Sequence, residues 1–209
     1  MLRLCTAYFP PLDYFAALTK ADRFVIDTRE NYAKQTFRNR TLIVTSQGVQ
    51  CLSVPCIKTM GNHTPVAEMK IDANRHWQRD HWRSMCTAYN KSPFFLYYKD
   101  ELAVLFGKRH EKLSDLNTQI LDWLLKKLKL PAIRVPAERN ESGQDTETYT
   151  PPVDFSPKMP PRFSFAPYLQ TFPCQSPAGH LSILDLLFNT GPEAALLLQE
   201  ARELTTNGS

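Results

Sequence analysis

Nine of the eleven side chains in the run 30–40 can carry a charge or form a hydrogen bond. The run lies between two apolar, strand-like stretches, residues 23–27 and 41–44. A solvated loop between strands is normally built from small residues such as glycine, serine and proline, whereas these side chains are long, amide-bearing and cationic. Groups of this kind suit a bound anion or a sugar better than a turn. The run therefore predicts a ligand-binding segment.

In an extended backbone, successive side chains of this run would point to opposite faces. The three cations would then share one face and hold a diphosphate, while the amides contact sugar hydroxyls. The candidate ligand-binding residues are Asn31, Lys34, Gln35, Arg38, Asn39 and Arg40. The alternative is a polar strand rim whose arginines bind the carboxylates of neighbouring loops. We favour ligand binding, because apolar strands flank this polar run on both sides.

A catalytic candidate, His81, lies on the apolar stripe of a helix predicted from Asn74 to Tyr89. His81 shares that stripe with Trp77, so we expect its ring to be at least half buried. It is either a core histidine satisfied by a backbone carbonyl or a general base that faces a pocket. Arg83 is the candidate ligand-binding cation on the same helix, although it points roughly 200° away from His81 on an ideal helix.

Composition and charge exclude several classes of function. The net charge of +4 is mild and the basic residues are interspersed with acidic ones, which fits an anionic small ligand and not a nucleic acid. The five cysteines are odd in number and scattered, with no Cys-x-x-Cys pair. His76 and His81 are five residues apart, too far around a helix for the usual metal pair. We therefore expect no metal site and no disulfide framework.

The length of 209 residues allows one sizeable core. No stretch approaches the roughly 18 apolar residues that span a bilayer, so we expect no membrane span. Residues 1–11 lack the apolar core of a signal peptide. These features predict a cytoplasmic protein whose cysteines remain thiols.

The apolar pattern of the N-terminal half predicts strands. Residues 2–8 and 24–26 are predicted strands, with a short helix beginning at residue 12 or 13 between them, the start of a parallel βαβ unit. Residues 42–44 and 50–54 are predicted to pair as a hairpin.

Helical periodicity dominates the rest of the chain. The predicted helices are 74–89, one from a Ser92-Pro93 start to Phe106, one from a Ser114 cap to about Lys129, one after a Ser182 cap, and one from Gly191-Pro192 to Leu198. A proline-rich excursion, residues 131–168, interrupts them, with Asn140 to Gln144 as its most mobile part. The prediction is a single α/β domain over residues 1–209, with a mixed sheet from the N-terminal half packed by helices.

The opening strand and its turn resemble those of HUP-type nucleotidyltransferases, where a proline-containing loop and a small polar signature hold nucleotide phosphates at a helix N-terminus. Here the turn reads Tyr8-Phe9-Pro10-Pro11, and Leu12 and Tyr14 stand where the histidines of that signature would be. The alternative, which we favour, is an aromatic-rich strand end packed under a helix. The resemblance is used only as a clue to the fold.

Several short groups of residues, distributed along nearly the whole chain, match a known family in their order and spacing. They are Tyr8–Pro11 with Asp13–Phe15, Asn31–Arg40, Leu52–Pro55, His81–Arg83 with Ala88–Tyr89, Ser92–Phe95, Asp115–Asn117, and Leu181–Asn189 before Gly191–Glu193. Together they resemble the WbqC-like family of bacterial proteins, named for members found in O-antigen and surface-polysaccharide gene clusters. Asp13 is a departure from the family pattern, because many members have a glycine directly before the Tyr-Phe pair that stands here at residues 14 and 15.

What the resemblance implies is a role in the biosynthesis of envelope polysaccharide, of the O-antigen or lipopolysaccharide type. The hypothesis is a transferase that moves a group onto or from a nucleotide-linked or amino sugar. Lys34, Arg38 and Arg40 would hold its anionic groups, and His81 would transfer the proton. The alternative is a non-catalytic ligand-binding or scaffold partner in an envelope pathway, which docks through residues 131–168. The cofactor is left unknown.

Overall fold

The computed structural model describes residues 1–136 and 152–204. Its strands are β1 (Leu2–Cys5), β2 (Arg23–Asp27), β3 (Arg40–Thr45), β4 (Gly48–Ser53), β5 (Cys56–Ile57), β6 (Lys70–Ile71), β7 (Ile133–Arg134), β8 (Phe163–Ser164) and β9 (Arg202–Glu203). Its helices are α1 (Leu12–Thr19), α2 (Trp77–Tyr89), α3 (Phe95–Gly107), α4 (Leu113–Leu128), α5 (Ile183–Thr190) and α6 (Ala194–Glu200). The predicted mobile stretch Asn140 to Gln144 lies outside the described residues.

A small parallel sheet forms the centre of the α/β fold. β1 pairs in parallel with β2, from Leu2 opposite Phe24 to Cys5 opposite Asp27, and β2 pairs in parallel with β7. α1 connects β1 to β2, so the predicted βαβ unit is confirmed. On the other side of β1, Val153 forms a parallel bridge with Leu4. The described flanks of the proline-rich excursion thus lie on both edges of the sheet.

The predicted hairpin is confirmed as β3 and β4, which pair antiparallel from Arg40 opposite Ser53 to Thr45 opposite Gly48. Gly48 has a φ of +97°, which the tight turn requires. The hairpin forms its own two-stranded sheet instead of joining β1 and β2. It is fixed beside them by the Thr41 hydroxyl, which donates to the carbonyl of Phe9 at 2.9 Å.

The middle helices cover the core, and all three begin elsewhere than predicted. α2 begins at Trp77 and not at Asn74. α2 buries the expected stripe of Trp77, His81, Met85 and Tyr89. α3 begins only at Phe95, because the Ser92 hydroxyl hydrogen bonds to the Thr171 hydroxyl at 2.6 Å instead of capping a helix. α4 begins at Leu113, a fully buried side chain, which places Ser114 inside the first turn.

The C-terminal helical pair closes the core as predicted. Ser182 caps α5, since its hydroxyl accepts a hydrogen bond from the backbone N–H of Leu184 at 3.3 Å. Every residue of α5 is buried, because the helix lies under α1 and the β3–β4 hairpin. Gly191 ends α5, and α6 follows after one turn. In the described ranges 1–136 and 152–204, no helix has the length and apolar character of a membrane span.

Candidate functional site

The candidate site lies at the edge of the parallel sheet where β1 and β2 end. Cys5 ends β1, Asp27 ends β2, and Val153, on the other side of β1, is followed by Asp154. The chain builds β2 and β7 on one side of β1 and then returns to the opposite side, so the strand order reverses between β1 and Val153. Open parallel sheets bind ligands outside the carboxyl ends of their strands at such a reversal.

The polar run 30–40 crosses this edge as a series of turns, not as an extended strand. The backbone N–H of Tyr8 donates to the carbonyl of Phe37 at 2.9 Å, which folds the run back over the end of β1. Phe37 is thereby buried, and so is Arg38, whereas Lys34 is exposed. The expectation that the three cations share one extended face is therefore wrong, because the turns send them in different directions.

Arg38 is 3% exposed and sits between the strand ends. Its Nε and NH2 atoms donate to the two oxygens of Glu30 at 2.9 and 2.7 Å, a bidentate pair. Its NH1 atom reaches Asp154 at 3.3 Å, and NH2 also lies 3.0 Å from the Cys5 sulfur. One guanidinium thus joins β1, the polar run and the segment after Val153.

Protonation states follow from these contacts. Although burial opposes the charged form, the hydrogen bond to Glu30 raises the pKa of Arg38, which stays a cation. Burial also raises the pKa of Cys5 well above its ordinary value, so Cys5 is a protonated thiol and a poor nucleophile.

A second ion-pair cluster lies at the end of β2, where Asp27 is opposite Cys5 in the sheet. Asp27 is fully buried, and Arg29 donates to it from the backbone N–H at 2.9 Å and from the guanidinium at 3.1 Å. Arg3 lies 3.3 Å away on β1. Burial alone would raise the pKa of Asp27, but the Arg29 hydrogen bonds and the two cationic charges hold that pKa below its usual value. Asp27 is therefore an ionised structural group.

The inner side of the polar run also contains buried polar atoms that lack partners among the described residues. Asn39 donates to the carbonyl of Val54 at 2.8 Å, and Asn117 of α4 donates to the carbonyl of Arg38 at 2.8 Å. The Oδ1 atoms of both amides and the Nε atom of Arg40 are buried without a partner in these ranges. A buried polar atom without a partner costs about 1–3 kcal/mol, and such atoms commonly bind water or a ligand.

The outer side of the same run is exposed. Asn31, Lys34 and Gln35 are exposed to solvent, and no side-chain hydrogen bond or ion pair holds them among the described residues. Gln35 has a positive φ of 61°, which turns the backbone outward at this point. The candidate ligand-binding residues therefore divide into an inner row, Arg38, Asn39 and Arg40, and an outer row, Asn31, Lys34 and Gln35.

The catalytic candidate His81 lies inside the core, buried beside Tyr8. Its Nδ1 atom is 2.8 Å from the Tyr8 hydroxyl, and the ring makes a second hydrogen bond to the backbone of Ser53. Burial lowers the pKa of His81 to about 4, so the ring is neutral near pH 7. This geometry fits the alternative of a satisfied core histidine. Arg83 is exposed on the outer face of α2 and is not brought together with His81.

Two cavities of about 10 Å³ each lie at the strand ends and share Phe37, Asp154 and Phe155. Two phenylalanine rings therefore line both cavities. Asp154 is the partly open group there, since 43% of its side chain is exposed. A half-exposed carboxylate beside a buried cation can accept a proton from a hydroxyl group.

Sequence reasoning missed the partners that organise this edge. Glu30 is the acidic residue at the start of the polar run, so it could have been considered as a partner of Arg38. Asp154, in contrast, is 116 residues from Arg38 and lies in the proline-rich excursion. Asn117 belongs to a recognised group of residues and was assigned no role. The alternative of arginines that bind the carboxylates of neighbouring loops predicts the contacts of Arg38 better than the extended model.

The fold and this edge define an α/β protein with a polar loop over the carboxyl ends of a small parallel sheet. The chain belongs to the WbqC-like protein family, whose model matches residues 6–156. That range contains the whole polar run and Asp154. The chain is also similar to the uncharacterized protein Rv1507c of Mycobacterium tuberculosis (strain ATCC 25618 / H37Rv), at 29% identity over 94% of this chain and 96% of that protein. No solved structure matches it.

Proposed function

We propose that the protein is a transferase of bacterial envelope-polysaccharide biosynthesis, which moves a group onto or from a nucleotide-linked or amino sugar. The observation that carries the proposal is Arg38, a buried cation at the point where the strand order of a parallel sheet reverses. The name of the family is compatible with envelope polysaccharide. The five free thiols suit the reducing cytoplasm, to which we assign the activity.

In this proposal the two rows of the polar run have different roles. The inner row shapes the loop, because Arg38 joins the polar run to β1 and to Asp154. The outer row contacts the ligand: Lys34 binds a phosphate oxygen, and Asn31 and Gln35 orient sugar hydroxyls. These three side chains are exposed and have no partners among the described residues. Binding a ligand therefore breaks no hydrogen bond between them and the rest of the described protein.

We assign the proton-accepting role to Asp154 instead of His81. Asp154 is partly exposed at the strand ends, whereas His81 is 6% exposed and already hydrogen bonded to Tyr8. As an acceptor hydroxyl bonds to the transferred group, the bond between that group and its donor breaks, the donor leaves with the bonding electron pair, and the hydroxyl proton passes to an Asp154 oxygen. The Arg38 contact at 3.3 Å keeps that oxygen in position.

One observation favours the second candidate, a non-catalytic ligand-binding or scaffold partner of an envelope pathway. Arg38 already holds two carboxylates, and the two cavities that Phe37 and Phe155 line measure only about 10 Å³ each. An edge closed in this way can serve as a stable recognition surface without performing chemistry. Turnover distinguishes the two candidates, because the partner protein would bind a ligand and leave it unchanged.

A thermal-shift panel of nucleotide sugars, nucleotides, acyl donors and amino acids tests the proposal. A ligand that binds the native state raises Tm by mass action. At a ligand concentration one hundred times Kd, the free energy of unfolding increases by about 2.7 kcal/mol. We expect a dose-dependent shift with a nucleotide sugar that the double variant Lys34→Gln/Gln35→Ala loses. Lys126→Gln, an exposed cation at the end of α4, is the matched charge control and should keep the shift. A cooperative melt that no member of the panel shifts would contradict the proposal.

A further inference from the structure

A groove lies between the start of α2 and the end of α3. Gln78 of α2 donates to the carbonyls of Phe106 and Lys108 at 2.9 and 2.5 Å, which fixes the two helix ends side by side. The cavity between them measures about 460 Å³. That volume is within the range of pockets that hold small molecules.

The floor of the groove is aromatic. Trp77, Trp82 and Phe106 line it, and the Trp82 and Phe106 rings lie 5.7 Å apart between centroids. Flat aromatic faces of this kind stack on planar rings, a contact worth about 1–3 kcal/mol for a nucleic-acid base.

The rim of the groove is cationic. Arg75, Arg79 and Arg109 line it, and none of the residues that line it is acidic. Arg75 and Arg79 have partners in Asp72 at 3.8 Å and Asp80 at 3.3 Å. Arg109 is exposed and has no ion pair among the described residues, so its charge is available to an anion.

His110 adds a hydrogen-bonding position to the same groove. Its Nε2 atom lies 2.6 Å from Gln119 Oε1 of α4, and its Nδ1 atom is buried without a partner among the described residues. With Nε2–H donating to Gln119, Nδ1 carries a lone pair and accepts a hydrogen bond. A ligand N–H or O–H would supply it.

We infer that this groove binds a nucleoside monophosphate, with the base against the partly exposed Trp82 ring and the phosphate on Arg109. An amino group of the base, or a ribose hydroxyl, donates to His110 Nδ1. The requirement for a planar ring, an anion and a hydrogen-bond donor in one small molecule selects a nucleotide over a simple aromatic carboxylate. The inference is independent of the proposed transferase site, because none of the residues that line the groove belongs to the polar run or to the strand ends.

Tryptophan fluorescence reports on this groove directly, because two of the three tryptophans line it. We expect saturable quenching by at least one of the four nucleoside 5′-monophosphates, with the matching nucleoside and inorganic phosphate each weaker by about tenfold or more. Arg109→Gln should weaken binding by about tenfold, since it removes a charge-assisted contact and no existing ion pair. Lys126→Gln removes the same charge elsewhere and should leave Kd unchanged.

The result that overturns the inference is the absence of saturable quenching by all four nucleotides, or quenching that Arg109→Gln does not weaken. Failure here is distinguishable from failure of the transferase proposal. Lys34→Gln/Gln35→Ala affects ligands bound at the sheet edge, and Arg109→Gln affects only those bound in the groove. A Trp123→Phe variant, which removes the tryptophan outside the groove, should retain the quenching.

Discussion

At the scale of single residues, Arg38 determines how the sheet edge is held. Its guanidinium is satisfied by Glu30 and Asp154, which compensate for the cost of burying the charge. A loss of ligand binding in an Arg38 variant would therefore report on folding as much as on recognition. The exposed outer row is the better place to test binding.

We predict that Arg38→Met destabilises the protein by about 3 kcal/mol, because it leaves Glu30, whose side chain is 18% exposed, without its cation. The double variant Arg38→Met/Glu30→Met should recover most of that loss, since the carboxylate that still lacks Arg38 is Asp154, which is 43% exposed. Urea denaturation of the single and double variants measures both effects. A loss below about 1 kcal/mol in Arg38→Met would mean that the buried pair is solvated and does not organise the edge.

His81 predicts a dependence of stability on pH. Its pKa is about 4 in the fold and about 6.5 when unfolded. The unfolded chain therefore binds the proton first as the pH falls, and stability drops between about pH 6.5 and pH 4, by up to about 3 kcal/mol. The free energy of unfolding of His81→Gln should lack this component. Equal pH slopes for the wild type and the variant would show that His81 is accessible to water, as a general base would be.

The residue types of the site could be read from the sequence, but their partners could not. The polar run identified Asn31, Lys34 and Arg38 as unusual. The partner of Arg38 comes from a segment 116 residues away that has no periodic pattern, so no local rule indicated it. The buried role of Arg38 and the exposed position of Lys34 follow from turns, and alternation along a strand does not describe turns.

At the scale of elements, predictions from local sequence patterns were correct where no tertiary contact competed for the same groups. The βαβ unit, the hairpin and the Ser182 cap all formed as predicted. The starts of α3 and α4 shifted because tertiary contacts took over. Ser92 is engaged by Thr171, and the burial of Leu113 extends α4 towards its N-terminus.

α5 likewise depends on tertiary contacts. Its Asp185 accepts hydrogen bonds from Tyr89 at 3.1 Å and from Tyr168 and Gln170 at 2.6 Å each. Burial raises the pKa of Asp185 in spite of these donors. These contacts give Asp185 a structural role, with donors from α2 and from residues 168–170.

The junction between α5 and α6 predicts a specific backbone effect. Gly191 has a φ of +57°, and a Cβ there would lie 2.5 Å from the Phe94 ring. Gly191→Ala should therefore lower stability by about 2 kcal/mol, through backbone strain and the clash.

Gly107→Ala is the matched control for this effect. Gly107 ends α3 without a positive φ, and a Cβ there would meet nothing within 4 Å. That variant should be neutral or stabilising by up to about 1 kcal/mol. Comparable thermal denaturation curves for the Gly191 and Gly107 variants would argue against the strained junction.

At the scale of the molecule, the position of the site depends on the order of the strands. The reversal beside β1 arises because Val153 returns to the free edge after β7 has extended the other one. The sequence indicated the α/β class and the first parallel pair. It did not indicate this return, because a single bridge residue in a proline-rich stretch carries no strand pattern. The sequence therefore indicated that the site includes the polar run, but it did not indicate that the polar run lies at the sheet edge.

Hydrogen exchange with and without a nucleotide sugar tests most directly whether the ligand binds at this edge. We predict that the ligand protects backbone amides in residues 30–40 and at the end of β1, and that Lys34→Gln/Gln35→Ala loses this protection while remaining folded. Protection confined to the groove between α2 and α3, or none in either region at saturating ligand, would contradict a binding site at the carboxyl edge of the sheet.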